Sequence, residues 1–248
     1  MDALDERWAA HNLHVTSVDL FAGQDPTLRR LAAQPMRHES SLLGALPVAS
    51  PGIVTLVGGR QVGKTTLVKQ LMLRLLTVEK VPPAQVTFVT GEVFRDGDEL
   101  RRVLAGLVAP EIGARSLRYL IVDEVTYVPG WDRAIKFLAD AGALERTFLL
   151  VTGSDLLLIE DAMKRLPGRR GRAREVDFHL FPLSFLEFCR LRGRVPPAHL
   201  EALAGGWPEV DLPRVPPSSL ERLEAELLSY QVTGGYLAAI NDVARDGR

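Results

Sequence analysis

Between Pro51 and His179, apolar runs of strand length alternate with longer stretches of helical periodicity. The strand candidates are Ile53 to Val57, Val86 to Thr90, Leu117 to Asp123, Thr147 to Thr152 and Arg174 to His179. Helical patterns lie between them: Lys64 to Leu76 with leucines at 67, 71, 75 and 76, then Asp98 to Val108, Trp131 to Ala141 and Leu156 to Leu166. Strand and helix in strict alternation predict an α/β fold in which a parallel sheet is joined by crossover helices. The flanks read differently. Leu4 to Leu20 carries helical turns bearing Trp8, His11 and His14, after which Gly23, Pro26, Pro35, Gly44 and Pro47 interrupt the pattern. Beyond His179 come Pro-punctuated helical segments, Leu183 to Leu191, Pro197 to Leu203 and Ser218 to Val232, with no clear strand. Three regions follow: 1–47, a helical arm and linker; 48–180, the α/β core; and 181–248, a helical C-terminal module.

Composition narrows the class. At 248 residues the chain holds one large domain or one domain with an appendage. With 46% hydrophobic and 25% charged residues it matches ordinary globular proteins, which excludes disorder. Its longest apolar runs, such as Phe148 to Val151, fall far short of the roughly 18 residues that span a bilayer. The opening Met-Asp-Ala-Leu-Asp-Glu is acidic where a secretory signal is basic. A single cysteine, Cys189, excludes an internal disulfide framework and fits a reducing cytoplasm, and its helical neighbours Leu186, Phe188 and Leu191 point to burial. The formal charge of −1 leaves any attraction to nucleic acid to local clusters.

Chemistry enters directly after the first strand. Gly58-Gly59-Arg60-Gln61-Val62-Gly63-Lys64-Thr65-Thr66 fills every position of G-x-x-x-x-G-K-[ST], with a strand before it and a helix after. The glycines let successive backbone N–H groups point into one concavity, and the helix brings its positive dipole end there. That geometry suits the polyphosphate of a nucleoside triphosphate, with Lys64 reaching the terminal phosphates and Thr65 offering a hydroxyl to Mg²⁺. Tyr119-Leu120-Ile121-Val122-Asp123-Glu124 then delivers two acids to the carboxyl end of a buried strand, where open α/β sheets bind ligands. Asp123 is the candidate Mg²⁺ ligand and Glu124 the candidate for polarising a water.

Further polar groups have competing uses. Ser154 or Thr152, at the tip of the strand ending Thr152-Gly153-Ser154, could sense a γ-phosphate or cap the helix that starts near Asp155. Between Lys164 and Arg174, six basic residues surround Pro167, Gly168 and Gly171. This stretch reads as a mobile loop supplying an arginine finger (Arg169 or Arg172) to the same or a neighbouring subunit, as a nucleic-acid contact without aromatic interleaving, or as a solvated loop. His11 and His14 share a helix face with no second ligand pair nearby, which argues against a metal site.

With these residues in hand, the chain resembles the AAA-like ATPases of bacteria and archaea whose ATPase core precedes a domain related to restriction-type nucleases. The resemblance rests on the phosphate loop, Val122-Asp123-Glu124 followed by Val128-Pro129-Gly130-Trp131, Thr152-Gly153-Ser154, Leu166-Pro167-Gly168-Arg169 and Phe181-Pro182-Leu183-Ser184-Phe185-Leu186-Glu187-Phe188. It covers roughly residues 45 to 192, and Gly205-Gly206-Trp207-Pro208-Glu209 and Gly234-Gly235-Tyr236 resemble a later Gly-Gly-aromatic element. It implies a P-loop NTPase three-layer sandwich with sheet order 5-1-4-3-2, binding of ATP and Mg²⁺, and an accessory helical or winged-helix region. Relatives usually continue past this length, so the nuclease-like domain is expected to be missing and no DNA-cleaving function is carried over.

Three functions compete at this stage. The first is Mg²⁺-dependent ATP hydrolysis coupled to conformational change, and the second a nucleotide-dependent regulatory switch with little turnover. The third is a small-molecule P-loop kinase using the arginine-rich stretch as a lid. Expected partners are ATP and ADP, a second copy of the chain, and a protein or DNA reached through parts outside the core, with no membrane. Base specificity is not readable, and 37–43 is one region that could contact adenine.

Overall fold

The computed structural model describes residues 6–108, 116–204 and 216–245. The strands are β1 (Gly52–Val57), β2 (Val86–Thr90), β3 (Arg118–Asp123), β4 (Thr147–Gly153) and β5 (Asp177–His179). They form one parallel sheet in the order β2-β3-β4-β1-β5, the order the family resemblance implies. β5 is shorter than the expected Arg174 to His179, and Arg170 lies beside its start. Its guanidinium donates to the carbonyls of Ile53 and Val176 at 3.3 and 3.0 Å, and β5 pairs with Thr55 to Val57 of β1.

Because side chains alternate across a strand, the sheet builds a core on each face. Ile53, Leu120, Val122, Leu149 and Val151 face one cluster, shared with α6 (Gly97–Val108), α7 (Trp131–Asp140) and α8 (Leu156–Met163). Val54, Leu56, Ile121, Phe148 and Leu150 face the other, covered by α5 (Lys64–Thr77) and the N-terminal helices. The result is a three-layer α/β/α sandwich.

Most of the N-terminal segment packs into this second layer, while Trp8 at its start joins the first cluster beside Phe94. The segment consists of α1 (Glu6–Ala9), a 3₁₀ turn at Leu13–Val15, α2 (Val18–Gln24), α3 (Pro26–Ala32) and α4 (Leu42–Ala45), with Phe21, Leu28, Leu43 and Leu46 buried. The helical turns expected within Leu4 to Leu20 are separated at Asn12, whose side chain has a task elsewhere. Its amide donates to Phe88 O and accepts from Phe88 N, both at 2.8 Å, and His14 Nε2 meets Val86 O at 2.8 Å. β2 is an edge strand, and these side chains occupy backbone groups that would otherwise template another strand. Beneath them Lys69 and Asp25, both wholly buried, form an ion pair at 3.1 Å.

The chain divides into two compact units, Met1–Leu31 with Ser40–Leu180, and Ala32–Glu39 with Phe181–Arg248. The second unit contains α9 (Phe185–Arg192), α10 (Pro197–Ala204), α11 (Pro217–Thr233) and α12 (Leu237–Arg245). α9 opens with a capping box in which Ser184 and Glu187 satisfy each other's backbone N–H. Asn241 repeats the device of Asn12, bonding both the N–H and the carbonyl of Met36 at 2.8 and 3.0 Å. The sequence pattern gave no expectation of α12, whose nine residues bury only Ile240 and Asn241. Gly235 sits at φ +74, and a Cβ there would lie 2.2 Å from Leu183 O. Among the described residues no helix is long and apolar enough to cross a membrane.

Candidate nucleotide site

β1 ends at Val57 and the chain turns through Gly58–Gly63 into α5, so the loop lies at the carboxyl edge of the sheet. The tightness of this turn explains its glycines. A Cβ on Gly58 would meet Leu180 O at 2.3 Å, and Gly63 caps the helix at φ +106, a conformation L side chains resist. Gln61 adopts φ +63 without being glycine, which concentrates local strain in the loop. The side chains of Arg60 and Gln61 are exposed, while those of Val62, Thr65 and Thr66 are half-buried.

Lys64 is 4% exposed, and its ammonium collects the site. It donates to Gly58 O at 3.0 Å, Gly59 O at 3.1 Å and Ser154 Oγ at 2.7 Å, and lies 3.1 Å from Glu124 Oε1. Ser154 in turn donates to the Glu124 carboxylate, at 2.8 Å from Oε1. Thr65 Oγ1 donates to Asp123 Oδ2 at 2.7 Å, and Thr152 Oγ1 donates to Asp123 Oδ1 at 2.5 Å. Strand order makes this possible: β4 lies between β1 and β3, so its tip touches both the loop and the acids. The helix after β4 is capped by Asp155, which accepts from Leu158 N at 3.0 Å, leaving Thr152 and Ser154 to the site.

The arrangement suits a nucleotide with a divalent cation. Turning the lysine outward exposes a cationic donor beside backbone N–H groups at a helix start, which is an anion cradle. A hydroxyl and a carboxylate within hydrogen-bond reach of each other are hard oxygen donors of the kind Mg²⁺ takes. Among the described residues no group of three or more His, Cys, Asp or Glu could hold a metal alone, so a cation here would need phosphate oxygens and water to complete its shell.

The arginines lie elsewhere. Arg169 pairs with Asp140 at the C-terminal end of α7, and Arg170 bonds Ile53 O at the start of β1 and pairs with Asp177 at 2.6 Å. Both contacts are at the amino edge of the sheet, opposite the phosphate loop. Arg165 pairs with Asp132 at 2.6 Å and Lys164 with Asp161 at 2.9 Å, while Arg172 is exposed. The structure therefore brings together Lys64, Thr65, Asp123, Glu124 and Ser154, and does not bring Arg169 or Arg172 to them. His14 is spent on the β2 edge, its pKa lowered by burial, and His11 stacks on Phe88 at 5.3 Å.

Two buried residues near the site's elements gave no signal in the sequence. Gly91, just after β2, lies under the Glu124 backbone, where a Cβ would come within 2.3 Å of Glu124 O. Lys69, four residues past Thr65 on α5, is the buried partner of Asp25. A lone glycine and a lone lysine carry no motif.

Comparison with known proteins places the chain in a family. The family described as AAA domain matches residues 50–189, more than half of the chain. No curated protein matches significantly. Among solved structures the chain is similar to the Aeropyrum pernix Orc1 protein in complex with DNA, at 14% identity and TM-score 0.43, covering 94% of this chain and 68% of that one. It is also similar to a Walker-type ATPase of Pyrococcus abyssi, at 15% identity and TM-score 0.38, covering 78% and 71%. A third, Cdc6p of Pyrobaculum aerophilum, gives 16% identity and TM-score 0.39, covering 100% and 65%. With a complete phosphate loop, a strand-borne acid pair and a matching family profile over its core, the chain belongs to the AAA-domain family of P-loop ATPases.

Proposed function

We propose that this protein binds ATP with Mg²⁺ and hydrolyses the γ-phosphate, using Glu124 as the base. The observation that carries the proposal is the convergence of Lys64, Ser154 and Glu124 within 3.1 Å of one another, beside the Thr65–Asp123 pair. Thr65 and Asp123 would hold Mg²⁺, directly or through water, and the bound ion would neutralise charge on the phosphate oxygens. Lys64 would exchange the carbonyls of Gly58 and Gly59 for the terminal phosphates, an exchange that costs little because it trades acceptors for a stronger anion. Its departure leaves the Glu124 carboxylate with Ser154 alone and free to accept a proton from water. Ser154, released from Lys64, keeps its one proton on Glu124 and regains a lone pair that can accept from the attacking water.

An arginine finger from Arg169 or Arg172 would have to serve a neighbouring copy, because their own loop sits at the far edge of the sheet. The paired state of Arg165, Arg169 and Arg170 also speaks against a kinase lid. Glu124→Gln tests the proposal. It should lower steady-state phosphate release by at least about a hundredfold, in line with loss of a general base, with ATP binding retained. Turnover equal to wild type would remove Glu124 as the base, whereas negligible turnover in the wild type with tight binding would favour the regulatory switch.

A further inference from the structure

In a continuing β-strand successive side chains point to opposite faces. Tyr119 and Ile121 of β3 face the α5 side of the sheet, and so does Asp123, which reaches Thr65 on that helix. Glu124, as the next residue, would point away from the phosphate loop if the strand simply continued. It does not continue. Glu124 adopts φ 51 and ψ 47, the left-handed region that a glutamate enters only when its surroundings require it. That turn swings its carboxylate back to Lys64 and Ser154.

Two neighbours impose the turn from opposite sides. Thr152 is fully buried, and its hydroxyl accepts the Glu124 N–H at 2.9 Å while donating its own proton to Asp123 Oδ1. On the other side lies Gly91, also buried. A Cβ at this position would fall 2.3 Å from Glu124 O, 2.9 Å from its carbonyl carbon and 3.1 Å from Val125 Cα. The peptide after Glu124 can occupy its place only because residue 91 has no side chain. A following 3₁₀ turn, closed by Tyr127 N donating to Glu124 O at 3.2 Å, fixes the exit.

We infer that Thr152 and Gly91 are positioning residues, acting through the Glu124 backbone to aim the catalytic carboxylate at the site. The inference rests on the hydrolytic reading given above. Gly91 meets only the peptide after Glu124, so its loss should fall on kcat; Thr152 also donates to Asp123, and Gly91→Ala, which spares that bond, separates the two effects. Thr152→Val keeps shape and removes both hydrogen bonds; Gly91→Ala keeps both bonds and displaces the peptide. Displacing a reacting group by about 1 Å costs up to roughly a hundredfold in rate, so each variant should lose about ten- to a hundredfold in kcat. KM and the dissociation constant for a fluorescent ATP analogue with Mg²⁺ should stay within about threefold.

The experiment is steady-state phosphate release by the full chain with Thr152→Val, Thr152→Ser, Gly91→Ala and Glu124→Gln, alongside nucleotide titrations and thermal melts. Thr152→Ser restores the hydroxyl and should recover most of the rate, an outcome that loss of packing alone would not give. If Gly91→Ala fails to fold, the valine and serine pair still decides. Wild-type kcat in Thr152→Val, with Glu124→Gln inactive, would overturn the positioning role while leaving the base assigned. A higher KM with kcat unchanged would also overturn it, moving Thr152 to the support of Asp123. Full turnover in Glu124→Gln would instead sink the reading on which the inference stands.

Discussion

Replacing Asp25 with asparagine isolates a single buried charge. Asp25 and Lys69 are each 0% exposed and 3.1 Å apart, and the ammonium also donates to His11 O at 2.9 Å and lies 3.8 Å from the centre of the Phe88 ring. Asp25 Oδ1 separately accepts from Thr27 N and Leu28 N at 2.9 and 3.1 Å, starting α3. Asparagine caps a helix as well as aspartate does, so that function survives the substitution. What is lost is the countercharge. At 3.1 Å and an effective dielectric of 20, the pair attraction is about 5 kcal/mol, and removing one partner of a buried pair typically costs about 3–5 kcal/mol.

The His11 carbonyl and the Phe88 face still stabilise the cation, so we expect about 3 kcal/mol for Asp25→Asn. Lys69→Met should cost about 2–3 kcal/mol, since the carboxylate keeps two backbone donors at a helix start. The double variant puts a thioether between Phe21 and Phe88 and leaves no buried charge, and should fall within about 1 kcal/mol of wild type. Urea unfolding followed by far-ultraviolet circular dichroism reads the loss. A cost below about 1 kcal/mol for Asp25→Asn, or a double variant as unstable as the sum of the singles, would refute the argument.

Two further outcomes follow from titrating groups. Glu99 is held down at about 2, first by the Arg95 N–H and then by Arg7, whose guanidinium lies 2.7 Å away. A depressed carboxylate stabilises the fold above its ordinary value of 4.5, and that contribution is lost as pH falls toward 2. The difference in melting temperature between wild type and Glu99→Gln should therefore stay constant from about pH 8 to 5 and close below that; a pH-independent difference would refute it. Cys189 is fully buried, and burial, assisted by Glu226, pushes its thiol up to about 11. Native protein near pH 8 should react with a thiol reagent only as fast as the helical unit opens, and labelling at the rate of a free thiol would show that the unit does not close over it.

The sandwich was legible because β1, β3 and β4 are buried on both faces and so appear as long apolar runs. The phosphate loop was legible because cradling phosphate demands glycines, lysine and a hydroxyl at fixed spacing within one segment. Asp123 and Glu124 could be placed because a parallel strand delivers its last residues to the ligand edge. The remainder depends on pairs distant in sequence. Nothing local marks Asn12 as the cover of β2, Asp25 as the partner of Lys69, or Asp140 as the anchor of Arg169. The arginine-rich stretch shows the same limit: its charge is visible in the chain, but the aspartates that pair with Lys164, Arg165, Arg169 and Arg170 come from α7, α8 and β5.

The same parity of strand geometry explains the tip of β4. Thr152 and Ser154 are two residues apart and meet the acids and the lysine on one side, whereas Gly153 between them is pressed against Ile159 and Thr126 on the other, where a Cβ would lie 2.6 and 2.8 Å from their side chains. A larger residue at 153 would push the tip toward α5 and close the space in which Lys64 must turn. The Thr-Gly-Ser order is thus set by two requirements at once, hydroxyls on the ligand side and no side chain on the helix side. Glu124 is the exception that needs help, because strand alternation points it the wrong way. The site gains its second acid only by breaking the strand, and the break requires a hydroxyl on β4 and a bare backbone after β2.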